Sequence, residues 1–407
     1  MPARRGAARG AKADPVTRIG IAGAGIAGRL LAWQLARLGH AVDVFDPAPD
    51  GQAPESASSH GAAAFTAAGM LSPLAELDNA PPEIAAHGWR SLDLWPGIAA
   101  ALGAQFPAAE LFQRNGSLLV AHPGDAGAAE RVLARMKAAQ AALAGRPELD
   151  APQPAVARIG AHMQAEAPQH HRQHQPQALA PAALQSLEPA LAPGLQGWLL
   201  PGEGQVDATR LLPALCAAAH GVRWHWGTRV EHVEPGRLSV AGADALRVDV
   251  AIDARGLGAR PALPLRGVRG ELLWLHAPGL ALHRPVRCLH PRHRVYLVPR
   301  SGDIVIVGAT EIDSEDRSPV SVRSAVELLS AAQRIAPELA EARIVRLHTH
   351  LRPATADQRP WLHCRDGLIV LNGLFRHGFL LAPALVEEAL QRSGLGDAAR
   401  QRDFSHA

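Results

Sequence analysis

Cysteine is scarce in this chain. Its 407 residues include three, Cys216, Cys288 and Cys364, far apart and never in a CxxC pair. Three cysteines cannot build a fully paired framework, so the expectation is a reducing, cytoplasmic compartment without structural disulfides. Lysine is rarer still, with only Lys12 and Lys137, and Tyr296 is the single tyrosine. Nearly all positive charge is therefore arginine. It leaves a formal net charge of +3, far short of the dense basic stripe of a nucleic-acid binder. No apolar run approaches the roughly 18 residues of a membrane-spanning helix. The basic stretch 1–16 has no apolar signal-peptide core after it and reads as a disordered tail.

What is present is ordinary for a globular protein, with 47% hydrophobic and 19% charged residues. Such a chain can bury a large core and divide into two or three domains. An apolar strand from Arg18 runs into a glycine turn. A helix follows from Arg29 to Leu38, closed by Gly39, and a second strand from Ala41 to Phe45 ends at Asp46. This is a βαβ unit. Helical spacing covers about 84–102, and a turn at Arg114-Asn-Gly116 leads into a strand. Residues ~141–182 are rich in Pro, Ala and Gln and carry His170, His171 and His174. They read as a low-complexity surface excursion, with no metal expected. Asp207 is a candidate N-cap for a helix to Ala219. A β-rich block follows, with a hairpin turn at Arg300-Ser-Gly-Asp303, then a helix over Ser321–Ile335. The end reads as a strand over Leu368–Leu371, the tract Asn372–Pro383, and a helix from about Ala384 to Gln391.

The fold class expected is α/β, or α+β overall. A discontinuous Rossmann-type domain is assembled from 17–85, 186–262 and 345–395. A mixed-sheet domain from 86–140 and 263–344 is inserted, with an excursion over 141–185 and a tail over 396–407.

Gly23-x-Gly25-x-x-Gly28 lies between strand and helix, with Asp46 eighteen residues after the last glycine. In this pattern the first glycine permits the tight turn, the second admits a pyrophosphate, and the third lets helix and strand pack. The helix start, at Ile26 and Ala27, offers N–H groups and a positive dipole end to phosphates. Asp46 can accept hydrogen bonds from both ribose hydroxyls. A plain glycine turn is the bland alternative, but the strand–turn–helix context that the motif demands is met. NAD and FAD both use it. Three features favour FAD: the small-residue loop Ala67-Ala68-Gly69-Met70, the strand Val248–Gly256 ending in glycine, and the glycine-flanked tract Gly373–Leu380.

Together these pieces resemble the D-amino acid oxidase family of flavoproteins, most of all its thiamine-pathway glycine oxidases. The likeness covers about 17–395 outside the excursion. It is carried by Ala67-Ala-Gly-Met-Leu71, Arg114-Asn-Gly116, Gly267-Val-Arg-Gly-Glu271, Val295-Tyr-Leu-Val-Pro-Arg300, Val307-Gly-Ala-Thr310, Leu351-Arg-Pro353, Phe375-Arg-His-Gly378 and Leu381-Ala-Pro383. The resemblance implies a glutathione-reductase-like FAD domain joined to a mixed-sheet substrate domain. It also implies oxidation of glycine, sarcosine or a D-amino acid to an imine, with O2 as acceptor and H2O2 as product. By position, Arg352 matches the arginine that pairs with the substrate carboxylate, and Tyr296 an active-site tyrosine. Arg376 matches an arginine beside the flavin, and Met70 a residue at the pocket edge. Leu374, Phe375, Arg376, His377, Gly378, Phe379 and Leu380 match the loop that wraps the flavin. Val230 matches the adenine contact, and Asp46 stands where the family commonly has Glu. Thr or Ser usually precedes the Ala-Ala-Gly; here Ala63 and Ala64 stand there, with Ser58, Ser59 and Thr66 nearby. Sarcosine oxidases attach the flavin through a cysteine near the position of Leu351-Arg352. None is there, so non-covalent FAD is expected. A thiazole synthase as pathway partner and a homo-oligomeric assembly are further expectations.

The nearest rival is a D-amino acid dehydrogenase of the same fold that passes electrons to a quinone. A flavin-binding scaffold without catalysis is opposed by the intact Arg352 and Tyr296. An NAD-dependent dehydrogenase is opposed by the Gly373–Leu380 tract.

Overall fold

The computed structural model describes residues 16–54, 61–103, 106–144, 174–290 and 294–396. The chain forms two main sheets. The first has six strands in the order Trp361–Arg365, Leu368–Asn372, Val250–Asp253, Arg18–Ala22, Ala41–Asp46, Arg223–Trp226. All neighbours are parallel except the first pair. Near-continuous apolar strands such as Ile19–Ala22 and Leu368–Leu371 suit a parallel sheet covered on both faces. Helices Ile26–Arg37, Pro82–Ala101, Ala208–Ala218 and Gly378–Arg392 pack into one core. A small antiparallel sheet, Val230–Glu234, Arg237–Val240 and Leu246–Arg247, is joined to the same strands by a separate apolar cluster. Gly39, at φ +85°, follows the Leu38 cap as expected.

The second sheet has eight strands, in the order Arg343–Ala354, Arg266–His276, Ile304–Gly308, Arg294–Arg300, Val286–Leu289, Ser117–Ala121, Gln196–Leu200, Gln177–Leu179. Period-2 alternation assigns its faces. Val295, Leu297, Val305 and Val307 pack under helix Val322–Ile335. Tyr296, Val298 and Ile306 point the other way, toward Ala68 and Met70. The helix expected over Ser321–Ile335 starts at Val322, capped by Ser321, whose hydroxyl accepts the Ser324 N–H. Asp207 likewise accepts the N–H groups of Thr209 and Arg210.

Three expectations need correction. The last helix starts at Gly378, six residues before the expected Ala384. Pro383 suggests a helix start, yet it lies inside. Proline removes the N–H that would bond the Phe379 carbonyl. The Trp95 indole donates to that carbonyl instead, at 3.1 Å, and the Ala384 N–H turns to Ser91 Oγ at 3.2 Å. Residues 345–354, expected among the nucleotide-binding pieces, run in the strand Arg343–Ala354. That strand pairs with Arg266–His276 in the eight-stranded sheet. Residues 196–200, expected in the same pieces, pair with Ser117–Ala121 in that sheet, while 86–101, expected in the mixed-sheet domain, pack in the core beside the parallel sheet. Alternation read locally cannot say which sheet a strand joins. The excursion is also ordered at both ends. Residues 141–144 end helix Ala126–Ala144, Gln177–Leu179 pairs with Gln196–Leu200, and a short helix occupies Pro181–Leu187. His174 stacks on Trp89 at 4.6 Å, while His170 and His171 lie outside the described residues.

Arg269 and Glu271 are both buried and bonded, Nη2 to Oε1 at 2.6 Å, and Arg269 also donates to the carbonyls of Asp316, Ser318 and Pro319. Arg269→Ala should therefore leave Glu271 an uncompensated buried charge. The expected loss is about 3–5 kcal/mol, read as a lower urea midpoint, and a loss below about 1 kcal/mol would contradict this pairing.

Candidate active site

The carboxyl ends of the parallel strands converge on one cavity of about 1850 Å³. Gly23 follows the first strand, Asp46 ends the second, Gly256 follows Val250–Asp253, and Gly373 follows Leu368–Asn372. All four line the cavity. Parallel sheets bind ligands at this end.

The three fingerprint glycines play different parts. A Cβ on Gly23, at φ +100°, would lie 2.5 Å from the Ala254 carbonyl oxygen. One on Gly28 would lie 1.9 Å from the Gly23 carbonyl oxygen. Gly25 alone of the three faces open space, with nothing within 4 Å of where a Cβ would stand. Gly28 is also the one predicted site residue that does not line the cavity; it packs helix on strand. The carboxylate of Asp46 is oriented by two backbone donors, Ala24 N–H at 2.6 Å and Ala48 N–H at 2.8 Å. The Val230 carbonyl accepts from Arg255, which is itself paired with Asp253. Ala63, Ala64 and Thr66 line the cavity; Ser58 and Ser59 lie outside the described residues.

Gly373–Leu380 wraps one wall. Gly373 and Phe375 both have positive φ, +69° and +51°. Phe375 holds its left-handed turn with an N–H bond to the Pro353 carbonyl, 3.0 Å long. The loop is thereby tied to the strand that carries Arg352. The N–H groups of Gly378, Phe379 and Leu380 precede the first intrahelical bond, Leu381 N–H to His377 oxygen. They are the donors that a helix start leaves for a ligand.

The opposite wall is the inward face of the eight-stranded sheet. Tyr296 pairs across strands with Gly308 and with Arg287. Only glycine fits beneath the phenol, since a Cβ on Gly308 would lie 2.6 Å from Tyr296 Oη. Gly270 serves Arg352 in the same way, with a Cβ there 2.3 Å from the guanidinium carbon. Arg352 donates to the Thr310 carbonyl at 3.0 Å and bonds no carboxylate among the described residues. Burial lowers its pKa from the ordinary arginine value, against the pull of Tyr296. Burial raises the Tyr296 phenol, while Arg352, Arg287, Arg300 and Arg376 draw it down.

The profile of the FAD dependent oxidoreductase family matches residues 18–392. The chain belongs to that family. This oxidoreductase is 33% identical over 377 residues to a Rhizobium etli protein named as the thiamine biosynthesis oxidoreductase ThiO, covering 92% of this chain and 96% of the relative. It is 34% identical over 205 residues to a bifunctional ThiO/ThiG protein of Synechocystis, covering 46% of this chain and 30% of that protein. The crystal structure of glycine oxidase from Geobacillus kaustophilus superposes with a TM-score of 0.70 at 26% identity, covering 93% of this chain and 96% of that one. FAD is thus the cofactor of this oxidoreductase. The residues present suit it: an open cradle at Gly25, an oriented carboxylate at Asp46, and N–H groups at Gly378–Leu380 outside the helical bonding pattern.

Several residues of the site carry no local signal. Glu76, buried, accepts from Arg376 Nη2 at 2.7 Å, His377 Nε2 at 3.0 Å and Arg287 Nη2 at 3.2 Å. Burial pushes its carboxyl up, but Arg376, His377 and Arg287 hold it well below the ordinary value. Glu203 behaves oppositely. It accepts from Ala75 N–H at 2.9 Å and Ser117 Oγ at 2.5 Å, and burial raises it to about 7 against the pull of Arg287. Arg300 donates to the carbonyls of Ala68 and Val206 and to Gln205, and burial lowers it to about 10. Alternation in Val286–Leu289 places Arg287 on the Tyr296 face, a signal legible once that strand is recognised.

Cys288 borders the cavity from the helix-covered side of its strand, and burial pushes its thiol up to about 11. A thiolate is the nucleophile in flavin attachment. Acid precipitation should therefore release all the FAD into the supernatant; yellow colour left in the pellet would show a covalent bond. Glu203 gives a second prediction. Its folded value lies above the ordinary 4.5, so the folded state binds the extra proton. Stability is lost as pH rises from about 4.5 to 7 and stays flat above. Glu203→Gln removes this dependence. The stability gap between variant and wild type should change by about 3 kcal/mol between about pH 4 and pH 8. A gap independent of pH, in paired urea titrations, would refute the assignment.

Proposed function

We propose that the enzyme oxidatively deaminates glycine or a small D-amino acid. The net reaction consumes amino acid, O2 and water, and yields oxo acid, ammonia and H2O2. The observation that carries this reading is Arg352. Most other buried arginines are committed. Arg269 is paired with Glu271, Arg255 with Asp253 and Arg284 with Glu188, while Arg29 donates to the carbonyls of Ala24, Gly51 and Leu212. Arg352 has one carbonyl and open cavity beside it.

A guanidinium fork binds a carboxylate through two parallel hydrogen bonds, which lysine cannot copy. The Tyr296 hydroxyl would add a third donor to the same group. Pinning the carboxylate sets the substrate Cα in one place, and orientation then supplies much of the rate. The surrounding arginines disfavour an ammonium, so the bound amine is held neutral, with its lone pair available to push. Burial also depresses His350, against the upward pull of the Leu351 and Gly61 carbonyls that its ring nitrogens face. Ala68 and Met70 give the pocket an apolar side that limits water. Asp46 would hold the adenosine ribose, Val230 the adenine, Gly25 with Ile26 and Ala27 the phosphates, and Leu374–Leu380 the flavin ring. When bound, FAD supplies the two-electron acceptor for the Cα hydrogen. The names of the Rhizobium and Synechocystis relatives support a place in thiamine biosynthesis, where the imine would pass to a thiazole synthase.

Arg352→Lys keeps the charge and loses the fork. Catalytic efficiency with glycine should fall at least about tenfold, since a charge-assisted hydrogen bond is worth roughly 1.5–3 kcal/mol, and Arg352→Ala should fall further. Both should retain FAD. Titration with glycolate, followed by flavin absorbance, checks the cause: wild-type affinity in flavin-loaded Arg352→Ala would move the carboxylate site elsewhere. An oxygen electrode tests the acceptor. Turnover with an artificial acceptor but no peroxide would replace the oxidase by a quinone-linked dehydrogenase.

A further inference from the structure

Charges around Tyr296 do not balance for a substrate with a single carboxylate. Arg287 lies directly across from Tyr296 on the neighbouring strand, so both point to the same side of the sheet. Its neighbours Val286 and Cys288 enter the opposite, helix-covered core. Arg287 reaches Glu76 through Nη2 at 3.2 Å, and its Nε is buried with no partner. Arg376 reaches the same Glu76 through Nη2 at 2.7 Å and Asn79 at 2.8 Å, and its Nε is also buried with no partner. Two guanidiniums thus share one carboxylate. Each keeps donor groups that nothing among the described residues accepts, and both line the cavity. Arg352 adds a third guanidinium with no acid bonded to it. Arg287 and Arg376 together carry one positive charge more than Glu76 balances, and a glycine-like carboxylate held by Arg352 would leave that charge unmet.

The placement allows two anions at once. The Arg352 guanidinium lies over Gly270, and the strand of Gly270 is three strands away from that of Arg287. At the usual strand spacing this is about 14 Å, with Tyr296 between. We propose that Arg287 and Arg376, bridged by Glu76, form a second carboxylate subsite, and that the favoured substrate is a small amine carrying two carboxylates. This rests on the amino acid oxidation reading and narrows its substrate class. Arg352 takes the carboxylate on the carbon to be oxidised. The Arg287–Arg376 pair takes the other, whether it is attached through nitrogen or through the side chain.

Binding, independent of turnover, tests this on the FAD-loaded protein. Methoxyacetate and diglycolate are unreactive ethers with one and two carboxylates, and flavin absorbance reports their dissociation constants. Diglycolate is expected to bind at least tenfold more tightly than methoxyacetate. In Arg287→Gln that advantage should shrink at least tenfold, and Arg287→Lys, which keeps the charge without the fork, should lie between. The lysine variant decides the matter if the glutamine variant fails to load flavin. Equal binding of the two ethers by wild type, or an advantage that survives in the variants, would overturn the subsite. Turnover of iminodiacetate and D-aspartate then separates a nitrogen-borne from a side-chain carboxylate, and efficiency with both below that for glycine would also count against the proposal. Failure of the underlying reading looks different: neither ether would perturb the flavin, and Arg352→Ala would change nothing.

Discussion

A buried carboxylate, Glu76, joins the pieces of chain that make the site. It sits on a four-residue helix, Pro73–Glu76, too short to hold itself. Once the carboxylate is taken out of water it costs several kcal/mol unless cations accompany it. The cations come from two other places, Arg376 from the loop after Leu368–Asn372 and Arg287 from the eight-stranded sheet, and His377 of the same loop adds a hydrogen bond. The same contacts that stabilise the charge therefore clamp the cavity walls together. Glu203, on the turn before Gly204–Val206, holds the short helix from behind through the Ala75 amide. Both glutamates are buried, yet they are shifted in opposite directions. Glu76 has arginines in contact, whereas Glu203 has an amide and a hydroxyl.

Arginine does the work that lysine shares in other chains. Most of the buried guanidiniums are committed to carboxylates or carbonyl clusters, and they build the frame. Arg29, for instance, donates to three carbonyls and lies over the rings of Phe65 and Trp226 at 5.2 and 5.4 Å. Arg352 differs through what it lacks. Its guanidinium lies over a glycine and its remaining donors face the cavity. In the proposed reaction, the substrate carboxylate completes a pairing that the fold leaves open.

Local signals carried much of the architecture. Apolar runs, the cap at Asp207, and Gly39 after its helix all depend on residues a few positions apart, and each appears where the sequence places it. The nucleotide end of the cavity was equally legible, because turn, helix start and acid lie within one βαβ unit. Misreadings arose where a local rule met a distant partner. Pro383 signals a helix start until Trp95, far back in the chain, takes the carbonyl it frees. The strand Arg343–Ala354 looks the same whichever sheet it joins.

Sequence alone determined the strand–glycine–helix cradle, the faces of the strands and, through family resemblance, the positions of Arg352 and Tyr296. Tertiary structure alone decided the charge pattern of the pocket. Glu76 is separated by 211 residues from Arg287 and by 300 from Arg376, so no spacing rule could pair them. Nor could the chain show which guanidinium keeps open donors beside the cavity. That depends on the sum of burial and contacts around each guanidinium, and it exists only after both sheets have closed on the cavity.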